Sequence, residues 1–236
     1  MAKSQSAKTS VEKAQLVLIL PRAVMEMAPQ DAATRVQRAV QSGEVAAVLV
    51  PRYDLEAHTY KAVSEAVIPT IQAGGSAALL DGMEATQDMG RLNADGHLIE
   101  ANGNSWVEDT LDLLQRFDGE KMIGLYGAFS RDTALTAGDI QPDVVIFGPL
   151  GGDIKPEPHK KNTKIAQWWA EMVEVPCVVP AGNTLESVVE TSQTGADFVG
   201  LSRAIFEADD AAKAVASACQ LIAEHGPELR YETTGG

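Results

Sequence analysis

Short runs of consecutive apolar residues, many of them β-branched, recur along the chain. Runs that are apolar throughout, rather than alternating with polar residues, are typical of strands buried on both faces. Eight such runs predict eight strands, numbered one to eight here: Leu16–Leu20, Val45–Val50, Ala77–Leu80, His97–Ile99, Met122–Leu125, Val144–Phe147, Cys177–Val179 and Phe198–Leu201.

The stretches between these runs have the pattern of helices, and several begin at a recognisable signal. Ser105–Glu108 has the form of a capping box, and Asn183–Glu186 is close to that form. Buried strands that alternate with helices predict a parallel sheet, and eight such units predict a single (β/α)8 TIM barrel. The helix over Glu84–Asn93 is short and poorly patterned, and a miscount there would leave an open doubly wound sheet instead.

Length and end composition set the expected domain limits. The 236 residues suit one barrel, which we place at residues 15–230. The polar, small residues at both ends predict disordered tails at 1–14 and 231–236. The first apolar run, Leu16–Leu20, is too short for a signal-peptide core or a membrane span, so we expect no membrane partner.

Charge and cysteine usage narrow the partners and the compartment. The formal net charge of −14 argues against a nucleic-acid partner, because phosphate backbones are bound by clustered Lys and Arg. An anionic ligand would need a local basic island. Two isolated thiols, Cys177 and Cys219, predict a reducing compartment, the cytoplasm, rather than a disulfide scaffold.

Charged residues follow several predicted strands at the end where barrel chemistry is placed. Arg52 follows the second strand, Asp81 the third and Glu100 the fourth. Asp81 and Glu100 would stand on neighbouring strand ends, and two carboxylates there can ligate Mg²⁺. Two alternatives stay open at this point: Asp81 pairs with Arg52, or Asp81–Gly82 is a simple turn.

A long loop after the sixth strand is the one dense basic island of the chain. The loop spans Gly148–Asn162, and its basic residues are Lys155, His159, Lys160 and Lys161. Loops of this length in compact domains are often functional, so we interpret it as a lid over an anion. The alternative is a solvated surface loop.

The seventh and eighth strands each stop at a turn that opens into a helix. In (β/α)8 barrels the turns at these positions commonly bind phosphate through backbone N–H groups. The predicted phosphate-binding residues are Gly182, Asn183, Gly200, Leu201 and Ser202, with Lys160 and Lys161 from the loop.

Three segments in the C-terminal half carry a specific resemblance. They are Gly148–Pro149 with the lysine loop behind it, then Val179–Asn183, then Gly195–Ser202. In this order they resemble the thiamine-phosphate synthase family and its thiazole tautomerase relatives. The resemblance implies a (β/α)8 barrel that uses Mg²⁺ to join a pyrimidine diphosphate to a thiazole phosphate, with release of pyrophosphate.

The resemblance also implies roles for individual residues. Arg52 and Lys155 are the expected catalytic residues, acting on the diphosphate together with the other loop lysines. Asp81 and Glu100 are the expected Mg²⁺ ligands, and the backbone around Gly182 and Ser202 is expected to bind the thiazole phosphate.

The N-terminal half departs from the family pattern. The family has a Gln-x-Arg-x-Lys set after the second strand, where this chain has Val48–Tyr53 with a single Arg. An Asn-Asp pair becomes Leu80–Asp81, and Glu100 is the only acid near the family's second metal-binding Asp. A usual Ser is replaced around Tyr126, and the Thr-rich turn of the family becomes Gly151–Lys155. These losses weaken diphosphate and metal binding more than thiazole-phosphate binding.

Three functions follow from these observations, all with a small phosphorylated ligand. The sequence favours a synthase-like enzyme. It leaves open a non-catalytic or regulatory phosphate-ligand-binding barrel, and a metal-independent isomerase that resembles thiazole tautomerase and uses one acid or base such as His159. Metal dependence distinguishes these functions. The oligomeric state, a homo-oligomer included, stays open.

Overall fold

The computed structural model describes residues 8–42, 44–82, 91–127 and 129–233. The strands in these ranges are β1 (Lys8–Glu12), β2 (Gln15–Ile19), β3 (Val45–Val50), β4 (Ala77–Asp81), β5 (Gly96–Glu100), β6 (Met122–Gly127), β7 (Val144–Phe147), β8 (Cys177–Pro180), β9 (Phe198–Leu201) and β10 (Leu229–Thr233).

Helices connect consecutive strands. They are α1 (Arg22–Met25), α2 (Pro29–Val40), α3 (Ala57–Ala73), α4 (Trp106–Phe117), α5 (Arg131–Ile140), α6 (Lys160–Met172), α7 (Ser187–Ser192), α8 (Arg203–Phe206) and α9 (Ala211–His225). The helix predicted over Glu84–Asn93 lies mostly outside the described residues. None of the helices in the described ranges combines the length and the apolar character needed to cross a bilayer.

Strands β2 to β9 form a closed parallel barrel in chain order. Closure is made by β2, which pairs with β3 on one side and with β9 on the other, where Gln15 lies opposite Phe198. The predicted TIM barrel is therefore confirmed, each of the eight predicted runs lies on a barrel strand, and the open-sheet alternative is wrong.

The barrel interior is a packed layer of branched aliphatic side chains. It is filled by Val17, Ile19, Leu49, Leu79, Leu98, Val144, Ile146 and Val178. The strand residues between these positions face the helices, which explains why each run is apolar on both faces. At Gly124 a Cβ atom would lie 2.8 Å from Leu98 Cδ2, so the close approach of this interior side chain requires glycine.

The two chain ends form a small antiparallel pair outside the barrel. Strands β1 and β10 pair from Lys8 opposite Thr233 to Glu12 opposite Leu229. This differs from the disordered tails expected at 1–14 and 231–236 for the part that the structure describes, residues 8–14 and 231–233. Residues 1–7 and 234–236 lie outside the described residues. The reason is tertiary: β2 begins and α9 ends at the same, amino-terminal end of the barrel, and Lys13 Nζ donates to the Gly226 carbonyl oxygen at 2.6 Å. Polar, small residues showed no periodicity from which this pairing could be predicted.

The two helix-start signals locate the helices only approximately. Ser105 does precede α4, but its side chain makes no capping hydrogen bond. The Asn183–Glu186 signal lies just before α7, which begins at Ser187. The caps that do form are at Ser130, which accepts from the Thr133 N–H, and at the start of α9.

Candidate functional site

The carboxyl ends of the barrel strands form a mouth with two distinct regions. One region is a pocket at the ends of β3 to β6, called the acidic pocket below. The other comprises the turns after β8 and β9 and the loop from Gly148 to His159 that packs on them, called the cup below.

The acidic pocket has a volume of about 310 Å³. It brings together the predicted residues Arg52, Asp81 and Glu100, because β3, β4 and β5 are neighbours in the barrel. Its other lining residues among those described are Tyr53, Gly82, Leu98, Ile99, Asn102, Ser105, Trp106, Asp109 and Tyr126.

Asp81 is held rigidly at the base of this pocket. Its side chain is buried, and Oδ2 accepts the backbone N–H of Arg52 at 3.0 Å. The Tyr126 side chain and the Gly82 backbone lie close enough to the carboxylate to lower its pKa. A carboxylate has about four acceptor positions, so the hydrogen bond from Arg52 leaves room for further partners.

The pKa of Asp81 reflects opposing influences. Burial raises the pKa of Asp81, the hydrogen bonds from Arg52 and Tyr126 work against that rise, and the nearby charge of Glu100 adds to it. Asp81 and Glu100 stand on neighbouring strand ends, as the sequence predicted, because β4 pairs with β5.

Of the two alternatives considered for Asp81, the turn is present, and Arg52 contacts the carboxylate through its backbone N–H. Gly82 has a φ of 95°, so Asp81–Gly82 is a turn that favours glycine. A Cβ atom on Gly82 would lie 3.2 Å from Arg52 Cδ, so the Arg52 side chain lies across this turn. The turn therefore positions a cationic side chain over the floor of the acidic pocket.

The charged residues that line this pocket are mostly acidic. Of its charged lining residues in the described ranges, one is a cation and three are carboxylates: Arg52, Asp81, Glu100 and Asp109. No cluster of three or more His, Cys, Asp or Glu in those ranges is arranged to hold a metal ion. Asp81 and the exposed Glu100 nevertheless suit the way Mg²⁺ binds, through one or two carboxylates with the rest supplied by phosphate oxygens and water.

The cup is built where β8 and β9 end side by side. Pro180 lies opposite Gly200, and the Ala181 N–H donates to the Gly200 carbonyl oxygen at 2.8 Å. This pairing brings Gly182 and Asn183 next to the predicted residues Gly200, Leu201 and Ser202.

The chain's own loop packs directly against these turns. The Asn183 N–H, a predicted phosphate donor, donates instead to the Lys155 carbonyl oxygen at 2.8 Å. A Cβ atom on Gly182 would lie 2.0 Å from the Pro156 carbonyl oxygen, so the approach of the loop requires glycine here. The Thr184 hydroxyl donates to that same oxygen at 3.3 Å.

Asp153 places a carboxylate in the cup, a feature that the sequence analysis missed. Its Oδ2 accepts the backbone N–H of Arg203 at 2.8 Å, and the Arg203 guanidinium Nε lies 3.9 Å from Oδ1. Burial raises the pKa of Asp153, against the hydrogen bond from Arg203. In the sequence Asp153 follows two glycines in an aperiodic loop, so no pattern indicated its burial.

Two polar atoms in the cup lack a partner. Asp153 is 6% exposed and Ser202 is 2% exposed, and neither Asp153 Oδ1 nor Ser202 Oγ has a hydrogen-bond partner among the described residues. Buried polar groups are usually satisfied, so these two atoms mark a position where a ligand group or a change of loop position can supply the missing bonds.

The loop lysines lie around the mouth rather than inside it. The side chains of Lys155, Lys160 and Lys161 are exposed. Lys160 and Lys161 are the first two residues of α6, and His159 is its N-cap residue. Lys155 contacts the cup through its carbonyl oxygen. The structure thus places the loop over the cup, but it does not bring Lys155 together with Arg52 in the acidic pocket.

Tyr53 connects the two regions. It lines the acidic pocket, has a φ of 53°, and donates its hydroxyl to the Leu20 carbonyl oxygen at 2.8 Å. A Cβ atom on Gly151 would lie 2.8 Å from the Tyr53 hydroxyl oxygen, so the loop packs on this ring. Burial and the charge of Asp153 raise the pKa of Tyr53, which keeps the phenol neutral.

The fold and the mouth together define a (β/α)8 barrel with an acidic pocket beside a backbone cup. Residues 16–205 match the family model described as thiamine monophosphate synthase. The chain belongs to this family, and the match spans both regions of the mouth.

Curated relatives agree with the family match. The chain is 29% identical over 215 residues to a thiamine-phosphate synthase of Erythrobacter litoralis, which covers 89% of this chain and 96% of the relative. It is 30% identical over 188 residues to a thiamine-phosphate synthase of Rhodospirillum centenum, which covers 79% of this chain and 86% of that relative.

Solved structures share the fold at low sequence identity. The thiamine phosphate pyrophosphorylase from Pyrococcus furiosus superposes with a TM-score of 0.69 at 16% identity, over 89% of this chain and 96% of that one. The (S)-3-O-geranylgeranylglyceryl phosphate synthase from Thermoplasma acidophilum gives a TM-score of 0.64 at 15% identity, over 90% and 94% of the two chains.

Proposed function

We propose that this chain is a thiamine-phosphate synthase-like enzyme. It condenses a hydroxymethylpyrimidine diphosphate with a thiazole phosphate and releases thiamine monophosphate and pyrophosphate. The observation that carries the proposal is the pairing of the acidic pocket and the cup at one barrel mouth, within a stretch that matches the family model from residue 16 to residue 205.

The diphosphate end of the first substrate is assigned to the acidic pocket. Three carboxylates against the single guanidinium of Arg52 would repel a bare diphosphate. We therefore assign Mg²⁺ to Asp81 and Glu100, where it would neutralise the charge of the diphosphate. Arg52, held across the Gly82 turn, contributes the protein's own positive charge at the leaving group.

The reaction requires the protein to neutralise the charge of the diphosphate and to align the two substrates. The bond between the pyrimidine methylene carbon and the diphosphate oxygen breaks, and its electron pair leaves with pyrophosphate. The lone pair of the thiazole nitrogen then forms the new carbon–nitrogen bond. No proton has to be moved by the protein, so positioned charges and orientation supply the rate enhancement.

The phosphate of the second substrate is assigned to the cup. The proposed donors are the buried Ser202 hydroxyl and the backbone of Gly182, Asn183 and Gly200–Ser202, where the Asn183 N–H is at present bonded to the Lys155 carbonyl oxygen. Lys160 and Lys161 add positive charge from the start of α6. Lys155, at the mouth, is assigned to the diphosphate.

The second candidate is a phosphate-ligand-binding barrel without catalytic activity. One observation favours it: the acidic pocket has a single cation, Arg52, among its described lining residues, which is little positive charge for a diphosphate. The isomerase alternative gains nothing from the structure, because the imidazole of His159 is exposed at the start of α6.

We also propose a cytoplasmic location, since Cys177 and Cys219 are both free thiols.

Pyrophosphate release from purified protein tests the proposal. With both substrates and Mg²⁺ present, we expect pyrophosphate and thiamine monophosphate in equal amounts, at a low rate, and neither product when one substrate or the metal is left out. Absence of release, combined with binding of thiazole phosphate, would replace the synthase by the binding protein.

A further inference from the structure

A carboxylate lies where the proposed function needs a phosphate group. Asp153 Oδ2 accepts the backbone N–H of Arg203 at 2.8 Å, beside the hydroxyl of Ser202. Lys155, two residues further along the loop, holds the Asn183 N–H through its carbonyl oxygen at 2.8 Å. Residues 153–155 of the loop therefore accept hydrogen bonds from backbone N–H groups of both turns of the cup.

Asp153 and a phosphate group cannot occupy the cup together. Both are anions that need the same N–H group, and like charges at such short range repel strongly where water is excluded. The buried side chain of Asp153 has one cationic neighbour, Arg203, at 3.9 Å, which is too long for a hydrogen bond. A phosphate can therefore enter only when the carboxylate leaves.

The contacts that hold Asp153 in the cup are incomplete. Asp153 Oδ1 and Ser202 Oγ are both buried without hydrogen-bond partners in the described parts of the chain. An unsatisfied buried polar atom costs free energy, so an arrangement in which these atoms find partners removes that cost. A phosphate oxygen can accept the hydrogen bond for which the Ser202 hydroxyl has no acceptor in the cup. In an outward position the Asp153 carboxylate can be hydrated.

We propose that Asp153 is a built-in competitor of the phosphate ligand, so that the cup binds phosphate only in the fraction of molecules in which Asp153 has left the Arg203 N–H. The proposal rests on the proposed function for the identity of the cup as the phosphate end of the site. The apparent dissociation constant is then the intrinsic one divided by the fraction of molecules with an open cup.

Removal of the competing charge tests this directly. Inorganic phosphate and thiazole phosphate are titrated by calorimetry into the parent protein, Asp153→Asn and Asp153→Ala. The matched control is Glu157→Gln, which removes the same charge from an exposed position in the same loop. We expect both Asp153 variants to bind either ligand at least about tenfold more tightly, a change equivalent to about 1.4 kcal/mol, and the control to match the parent.

Two Asp153 variants keep the test decisive if one of them folds poorly. Affinity that is unchanged or weaker in the variants that fold overturns the proposal, because the carboxylate is then no competitor. The outcome is separable from the proposed function. Tighter phosphate binding without any pyrophosphate release sinks the synthase and leaves the competitor role of Asp153, whereas release with no change in phosphate affinity does the reverse.

Discussion

The acidic pocket and the cup are built by the same repeated unit, a strand that ends in a turn, yet they use it differently. In the acidic pocket, charged side chains stand at or just after the ends of β3, β4 and β5 and line an open space. In the cup, backbone donors after β8 and β9 are taken up by a loop that follows β7. The pocket is thus defined by local sequence, whereas the state of the cup depends on a distant segment.

The comparison explains where weakened chemistry is expected. The acidic pocket has a single cation, Arg52, among its described lining residues, which limits its capacity for a diphosphate. The cup contains Gly182, Gly200 and Ser202 but is occupied by Asp153. Each region therefore has its own obstacle, and single substitutions can separate the two.

The largest effect is expected at the floor of the cup. Ser202→Asp places a second carboxylate beside Asp153, and charge repulsion should abolish measurable binding of inorganic phosphate and thiazole phosphate, a loss of more than about a hundredfold. Ser130→Asp is the control, since it adds the same charge at an exposed N-cap where Asp is favoured. If calorimetry shows parent-like affinity in Ser202→Asp, phosphate binds elsewhere.

A smaller loss, confined to the rate, is expected in the acidic pocket. Asp81→Asn keeps the shape of the side chain but removes its charge, and kcat for pyrophosphate release should fall about a hundredfold, as for loss of one positioned electrostatic group. Affinity for thiazole phosphate should stay at the parent value. Asp139→Asn, exposed on α5, controls for the change in net charge. A parent-like kcat in Asp81→Asn would show that Asp81 does not bind a metal ion that the reaction needs.

The affinity of the cup for anions should depend on pH through Asp153. Because burial raises the pKa of Asp153, this carboxyl takes up a proton early as the pH falls and loses its charge. Sulfate keeps its own charge over that range, so sulfate should bind the parent up to about tenfold more tightly at the lower pH. The groups facing Asp153 are Arg203, Glu207 and Tyr53.

Asp153→Asn serves as the control for that titration, since it removes the carboxyl group and leaves its neighbours Arg203, Glu207 and Tyr53 in place. Its sulfate affinity should change much less with pH than that of the parent. Equal pH profiles in the two proteins would show that Asp153 is not the source of the dependence.

The smallest effect is expected from the exposed lysines. Replacing Lys155, Lys160 and Lys161 by Gln together should weaken anion binding by about tenfold or less and flatten its dependence on salt, since exposed charges are well screened. The melting temperature should not change. Lys213→Gln, exposed on α9, is the control. A collapse of the melting temperature in the triple variant would make the lysines structural.

The same comparison shows which features of the structure could be predicted from the sequence. Uninterrupted apolar runs predicted the strands, and the rule that chemistry follows strand ends placed Arg52, Asp81 and Glu100 in one pocket. The burial of Asp153 and the pairing of β1 with β10 depend on segments far apart in the chain, and neither segment has a periodic pattern. The presence of Tyr126 in the same pocket as Asp81 could have been predicted, because Tyr126 lies near the end of a predicted strand.

The central claim is that the two substrates bind in different regions of one mouth. The most direct test is a crystal structure of the protein with Mg²⁺, pyrophosphate and thiazole phosphate. We expect pyrophosphate beside Arg52, Asp81 and Glu100, and the thiazole phosphate on the Arg203 N–H and the Ser202 hydroxyl with Asp153 displaced. Both anions in one region, or a thiazole phosphate bound away from the cup with Asp153 still on Arg203, would contradict the account.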